Sequence, residues 1–91
     1  MKEIITLHCF VSGKVQGVWF RASTKQVAEE LGLTGYAKNL ADGRVEVMVS
    51  GEREQIEKLY VWLQSGPKLA QVSEVLRKEL PAQAFDGFNI I

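Results

Sequence analysis

The chain has 91 residues, of which 46% are hydrophobic and 24% are charged. Its 11 basic and 11 acidic residues give a formal net charge of zero. This length suits a single domain over residues 1–91, because a second hydrophobic core would not fit. The zero net charge argues against a protein whose main task is to grip a nucleic-acid backbone, since that affinity comes from neutralising many phosphates. A small anion held at one local positive site is compatible with the charge count.

The rare residues exclude several kinds of chemistry. Cys9 is the one cysteine, so no intramolecular disulfide can form, and His8 is the one histidine. Together they cannot supply a tetrahedral zinc site without carboxylate ligands. We therefore expect His8 to be an ordinary strand residue and Cys9 to be a small buried hydrophobic residue. No apolar stretch approaches the roughly 18 residues of a membrane span, and the first residues do not resemble a signal peptide. We therefore expect a cytoplasmic protein without membrane association.

Hydrophobic periodicity predicts seven elements separated by glycine-containing turns. Apolar residues that alternate with polar ones indicate strands, and apolar stripes at helical spacing indicate two helices. Gly32 and Gly66-Pro67 are typical helix stops, and Asp42-Gly43 is a strong hairpin signal. In chain order we predict a strand at 5–12, a tight loop at 13–18, a helix from about 21 or 22 to 31, strands at 34–39 and 44–50 joined by a turn at 40–43, a helix at 52–64, a strand at 71–79 and a short strand at 88–91.

The order of these elements predicts the fold class. Strand, helix, strand, strand, helix, strand, with an extra C-terminal strand, is typical of the α+β ferredoxin-like split β-α-β sandwich. We expect both helices to pack on one face of an antiparallel sheet. Because such a fold carries many unrelated functions, the function has to be inferred from a site.

The segment 13–21 is the strongest candidate site, because it runs from a strand through a loop into a helix. Backbone N–H groups in a tight glycine-containing loop can converge on an oxyanion, and a helix N-terminus adds unpaired donors. Arg21, at the start of that helix, offers a planar fork that matches two phosphate oxygens. Spacing alone leaves open, and slightly favours, a plain strand-to-helix connection with a solvated arginine.

Asn39 is a second candidate, at the end of a predicted strand and before the hairpin turn. An asparagine there is usually a turn residue that bonds its own backbone, and spacing alone favours that interpretation. Its amide carries both a donor and an acceptor, so it can also hold a water molecule in one orientation.

Two longer motifs carry a resemblance to a known family. The first comprises Gly13, residues 15–18 (Val-Gln-Gly-Val) and Phe20-Arg21. The second comprises residues 35–39 (Gly-Tyr-Ala-Lys-Asn), followed by Gly43, Val45 and Gly51. In content, order and separation they resemble the two signatures of the acylphosphatase family, and the ending Phe88-Asn89-Ile90 is also similar.

The resemblance implies an enzyme that hydrolyses a small-molecule acyl phosphate to a carboxylate and inorganic phosphate, without metal or cofactor. It implies that Arg21 binds the phosphate and that Asn39 positions the water. The implied phosphate loop acts mainly through backbone N–H groups, and it comprises Val15, Gln16, Gly17, Val18, Trp19 and Phe20. Trp19 occupies a variable position of the motif, where its bulk can affect rate or substrate access. We expect a monomer that binds no nucleic acid.

Two other classes of function are open at this stage. Some ferredoxin-like domains bind RNA by stacking bases on sheet aromatics, but the neutral charge is unfavourable and no such aromatic motif occurs. We expect the aromatic residues to be core or sheet-covering ones: Phe10, Tyr36, Trp62 and Phe88. The other class is a catalytically silent, anion-binding regulatory domain, against which the presence of both Arg21 and Asn39 argues.

Overall fold

The computed structural model describes residues 2–91, and it confirms the ferredoxin-like prediction. Two helices pack on a five-stranded sheet with the strand order β4-β1-β3-β2-β5. The elements in chain order are β1 (Ile4–Lys14), α1 (Phe20–Glu30), β2 (Thr34–Asn39), β3 (Val45–Glu52), α2 (Arg53–Leu63), β4 (Gln71–Leu80) and β5 (Phe88–Ile90).

The expectation of a wholly antiparallel sheet is wrong at β5, which pairs with β2 in parallel. The connection after β4 explains this direction. Leu80 lies opposite Thr6, and the Gln83 N–H then donates to the Thr6 hydroxyl at 2.8 Å. The chain thus crosses the sheet at the end where β2 begins. Strand β5 consequently starts beside Gly35 and has to run in the same direction as β2.

The core lies between the helices and one face of the sheet. The alternating apolar residues of β1 and β3 are buried there, as their period of two requires. Each helix contributes one buried stripe, and the stripe of α1 includes Thr24, whose hydroxyl donates to the Phe20 carbonyl at 2.7 Å. The central buried residues are Leu7, Cys9, Val11, Val47, Val49, Phe20, Ala28, Ile56, Leu59 and Leu63.

The two rare residues of β1 have the structural roles expected of them. Cys9 is fully buried, and burial raises the pKa of its thiol to about 12. His8 points to the other face, where its Nε2 lies 2.7 Å from Oε2 of Glu46. Neither side chain lies near the site described below.

Two boundaries differ from the predictions at glycines. Gly13 was expected in the loop, but β1 continues to Lys14 with a register shift between Ser12 and Gly13 against β4. With φ at 122° and the backbone of Gln71 close by, a side chain would not fit at Gly13. Likewise β3 does not stop at residue 50 but passes through Gly51 to Glu52, and α2 follows at once. Glycine therefore marks a bulge and a close packing contact here, not the strand ends.

The topology brings three chain segments to one edge of the sheet. Strands β1 and β2 are both antiparallel to β3, so they run in the same direction, and β5 runs with them. Their carboxyl ends therefore meet at one edge. The loop leading into α1, the residue Asn39 and the end of β5 all lie there.

Neither helix in residues 2–91 has the length and hydrophobicity needed to cross a membrane.

Candidate active site

The loop between β1 and α1, residues 15–19, is fixed at both ends and in the middle. The side chains of Val15 and Val18 are buried in the core. Between them, the Gln16 side-chain amide donates to the carbonyls of Leu40 at 2.8 Å and Arg44 at 2.9 Å. Gln16 therefore ties the loop to the β2–β3 hairpin and turns away from the space that the loop encloses.

The loop backbone presents a series of free donors. Gly17 has φ at 75°, and Trp19, the N-cap of α1, has φ at 65° and ψ at 22°, so both are left-handed. Within residues 2–91, no hydrogen bond uses the N–H groups of residues 15–19 as donors. The first helical bond runs from the Ser23 N–H to the Trp19 carbonyl at 2.9 Å, so the N–H groups of residues 20–22 belong to the open helix end. This arrangement is typical of an oxyanion-binding nest.

Arg21 is anchored by the end of β5. Its Nη1 donates to the main-chain oxygen of Ile91 at 2.9 Å, and the Ile91 N–H donates to the Ala37 carbonyl at 3.0 Å. The guanidinium is thus held across the sheet edge, beside the open end of α1. The side chain remains partly exposed to solvent at this position.

Asn39 is the last residue of β2 and lies opposite Val45. Its side chain makes no hydrogen bond to any other group in the described part of the chain. The turn is capped by Asp42 instead, whose Oδ1 accepts from the Arg44 N–H at 3.0 Å. That N–H, together with the Arg44 guanidinium, lowers the pKa of the Asp42 carboxyl. The turn-residue interpretation of Asn39 is therefore wrong, and its amide is available at the cleft.

A cleft of about 370 Å³ lies where these segments meet, and this volume is within the range of small-ligand sites. It is lined by Val15, Gly17, Trp19, Phe20, Arg21, Ala22, Asn39 and Ile90. Of the residues expected in the site, Gln16 and Val18 are absent from this lining, because one side chain bonds the hairpin and the other is core. Sequence reasoning missed Ala22 and Ile90. The resemblance of residues 88–90 to the family's ending was the one sequence signal that could have indicated Ile90, because the sheet topology alone brings β5 to the cleft.

The charge distribution of the cleft fits a small anion. Arg21 is the one charged side chain among the lining residues that the structure describes. Its positive charge adds to the partial positive charge of the α1 N-terminus. Nowhere in residues 2–91 do three His, Cys, Asp or Glu side chains cluster so that they could hold a metal ion. The N–H groups and the guanidinium are groups that can bind an oxyanion, and the Asn39 amide belongs to the same lining.

Fold and site together define a ferredoxin-like protein whose β1–α1 loop presents free N–H groups at one sheet edge. A comparison with known protein families identifies which ferredoxin-like family this chain belongs to. The acylphosphatase family model matches residues 7–90. The chain therefore belongs to the acylphosphatase family, as its motifs indicate.

Individual relatives are similar to this chain over almost its whole length. An acylphosphatase of Legionella pneumophila is 46% identical over 91 residues, the full length of both chains. One of Marinobacter nauticus is 56% identical over 83 residues, which cover 90% of each chain. A solved structure of an acylphosphatase from Coxiella burnetii has a TM-score of 0.93 and 45% identity, covering 97% of this chain and 93% of that one. The family and these names support the hydrolysis of acyl phosphates.

Proposed function

We propose that this chain hydrolyses acyl phosphates in the cleft at the carboxyl ends of β1, β2 and β5. In this proposal the loop N–H groups and Arg21 bind the phosphate, and Asn39 positions the attacking water. The observation that carries it is the convergence of three features on one cleft. Within residues 2–91 these are a run of N–H groups without acceptors, a guanidinium that donates to the main-chain oxygen of Ile91, and the Asn39 amide without a partner.

The proposed reaction is phosphoryl transfer to water. A bond forms between the water oxygen and phosphorus, and the bond from phosphorus to the bridging oxygen breaks. The acyl phosphate dianion and water yield a carboxylate and dihydrogen phosphate. One water proton stays on the attacking oxygen, and the other moves to a phosphoryl oxygen. Such reactions depend mainly on positioning and on stabilising charge on the phosphoryl oxygens. N–H groups fixed by the loop and a fixed guanidinium supply that stabilisation without reorganising.

The leaving group explains why few side chains are needed. A carboxylate departs without being protonated, so the proposed mechanism includes no general acid. His8 and the buried Cys9 lie in β1 outside the cleft lining and take no part in it. Because Arg21 and the loop donors neutralise the phosphoryl charge, we propose that the reaction proceeds without a metal ion.

Asn39 has a positioning role in this proposal. The loop and Asn39 come from neighbouring parts of one sheet edge, and Gln16 ties them together. An amide at that place can accept a hydrogen bond from a water and donate another, which fixes the water in line with the leaving oxygen. Asn39→Ala should therefore lower kcat far more than it weakens competitive inhibition by inorganic phosphate. Parallel losses in both quantities would instead make Asn39 a phosphate-binding residue.

Arg21→Lys tests the phosphate-binding role. Lysine keeps the charge but loses the planar fork, so we expect kcat/KM for acetyl phosphate to fall about 100-fold or more. The matched control is Arg77→Lys, because Arg77 makes a two-pronged contact with Glu57 away from the cleft. Near-normal hydrolysis by the Arg21 variant, with the control unchanged, would contradict this role.

A further inference from the structure

The cleft has an apolar wall that the phosphate chemistry does not use. Trp19 and Ile90 both line it, and their side chains are 76% and 43% exposed. Trp19 is the most exposed of the large hydrophobic residues in residues 2–91. An exposed apolar surface beside a polar anion site is typical of a ligand-binding surface and not of a folding core.

The backbone at Trp19 is left-handed as part of the loop that presents the free N–H groups, and this conformation does not itself require a large side chain. Trp19 is the one non-glycine residue with positive φ in the described chain, at 65°. Glycine or asparagine adopts this conformation more easily than a bulky side chain. The exposed indole gains little from packing, so the fold does not explain why the largest side chain stands at a strained position. Strain of this kind concentrates at ligand-binding sites.

We infer that the Trp19 indole, together with Ile90 in the same cleft lining, is a binding surface for the acyl group and makes the enzyme selective for aromatic or bulky apolar acyl phosphates. This inference rests on the proposed function. If the phosphate is held by the N–H groups of the loop, the acyl group has to extend away from the loop along the remaining lining. That lining is apolar at Trp19 and Ile90. An aromatic acyl group can stack on the indole face, whereas an acetyl group is too small to cover it.

The inference is tested by the ratio of the kcat/KM values for two substrates that differ in the acyl group, benzoyl phosphate and acetyl phosphate. For the wild type we expect kcat/KM to be higher with benzoyl phosphate than with acetyl phosphate. Trp19→Ala should lower the ratio of the two kcat/KM values about ten-fold, the effect of losing one favourable aromatic contact, and Trp19→Phe should keep most of it. The ratio cancels any effect of the substitution on phosphate binding. Val61→Ala is the matched control, because Val61 is 66% exposed on α2 and does not line the cleft.

A stability measurement separates a ligand-binding role from a structural one. Trp19→Asn removes the indole and places a residue that tolerates positive φ. We expect its Tm to be unchanged or raised while the benzoyl-to-acetyl ratio falls as in the alanine variant. A clear loss of Tm, or a ratio that stays within two-fold of the wild type in all three Trp19 variants, would overturn the inference.

Binding of analogues that cannot be hydrolysed keeps the inference separate from the proposed function. In phenacylphosphonate and acetonylphosphonate a methylene replaces the bridging oxygen of benzoyl and acetyl phosphate. Calorimetry should show tighter binding of the phenacyl compound to the wild type, and a difference about ten-fold smaller in Trp19→Ala. If the wild type hydrolyses neither acyl phosphate, the proposed function fails, and this binding difference alone decides the inference. Equal binding of the two phosphonates by the wild type would overturn it.

Discussion

Gln16 is the residue whose substitution tests how the loop and Asn39 are held together. Its side-chain amide makes two hydrogen bonds to the hairpin, to the carbonyls of Leu40 and Arg44. Gln16→Ala removes both bonds without altering the lining of the cleft, because Gln16 does not contribute to it. A loss of activity in this variant would therefore arise from the position of the loop and not from a lost contact with the substrate.

The expected loss of stability follows from the partners of those two carbonyls. The Leu40 carbonyl also accepts from the Gly43 N–H at 3.2 Å, and the Arg44 carbonyl also accepts from the Leu40 N–H at 2.8 Å. Neither carbonyl is left without a donor, so the full cost of an unsatisfied buried group does not apply. Two net hydrogen bonds at the lower end of the usual range give about 1–2 kcal/mol. For a domain of this size that corresponds to a Tm lower by about 4–16 °C.

The assay combines thermal unfolding with steady-state hydrolysis of acetyl phosphate. A loosened loop misplaces the phosphate relative to Asn39, and a shift of about 1 Å can cost up to about 100-fold, so we expect kcat/KM to fall about 10- to 100-fold. Gln16→Glu should be worse than alanine at neutral pH, since its carboxylate cannot donate and faces two carbonyl oxygens. Gln26→Ala, on the exposed side of α1, is the control. A Gln16→Ala variant with unchanged Tm and activity would show that the two hydrogen bonds to the hairpin do not hold the loop in place.

Three further predictions concern the fold. Gly35→Ala should strongly destabilise the fold or prevent folding, because a Cβ there would overlap the Met48 backbone. Gly43→Ala should cost less, because a Cβ there has open space and only the φ of 95° is unfavourable. Thermal unfolding of the two variants tests this difference. Cys9, with its pKa raised to about 12 by burial, should react with a thiol reagent at pH 8 only after denaturation, and fast reaction of the native protein would contradict its burial. Arg77 lowers the pKa of Glu57, so the stability from this pair is present at neutral pH and is lost as the pH falls below the normal glutamate pKa of about 4.3. The Tm of Glu57→Gln should therefore fall less than that of the wild type between pH 5 and pH 3. An equal fall in both proteins would contradict a contribution of the Glu57–Arg77 pair to stability.

The sequence predicted the elements and the fold class because their signals are local. Period-two strands, helical stripes and the Asp42-Gly43 turn each depend on neighbouring residues. The direction of β5 does not, since it follows from the path by which residue Gln83 crosses the sheet end at Thr6. For the same reason neither the position of Ile90 in the cleft nor the contact between the Ile91 main-chain oxygen and Arg21 could be predicted from the sequence.

At the site, the motifs predicted which segments matter but not which way each side chain points. Gln16 and Val18 belong to the motif, yet one bonds the hairpin and the other is buried. Asn39 and Asp42 are both plausible turn residues in the sequence, and only the hydrogen bond to the Arg44 N–H shows that Asp42 caps the turn. The roles of Arg21, Asn39 and the loop N–H groups stay predictions, as do the cytoplasmic location, the monomeric state and the single domain.

The most direct test of the central claim is phosphate release from acetyl and benzoyl phosphate in the presence of a metal chelator, with Arg21→Ala measured beside the wild type. We expect rapid release by the wild type that the chelator does not reduce. We expect a loss of about 100-fold or more in Arg21→Ala at an unchanged fold, as shown by circular dichroism. The proposed function would be contradicted by a wild type that releases no phosphate or is inactivated by the chelator, or by an Arg21→Ala variant that releases phosphate as fast as the wild type.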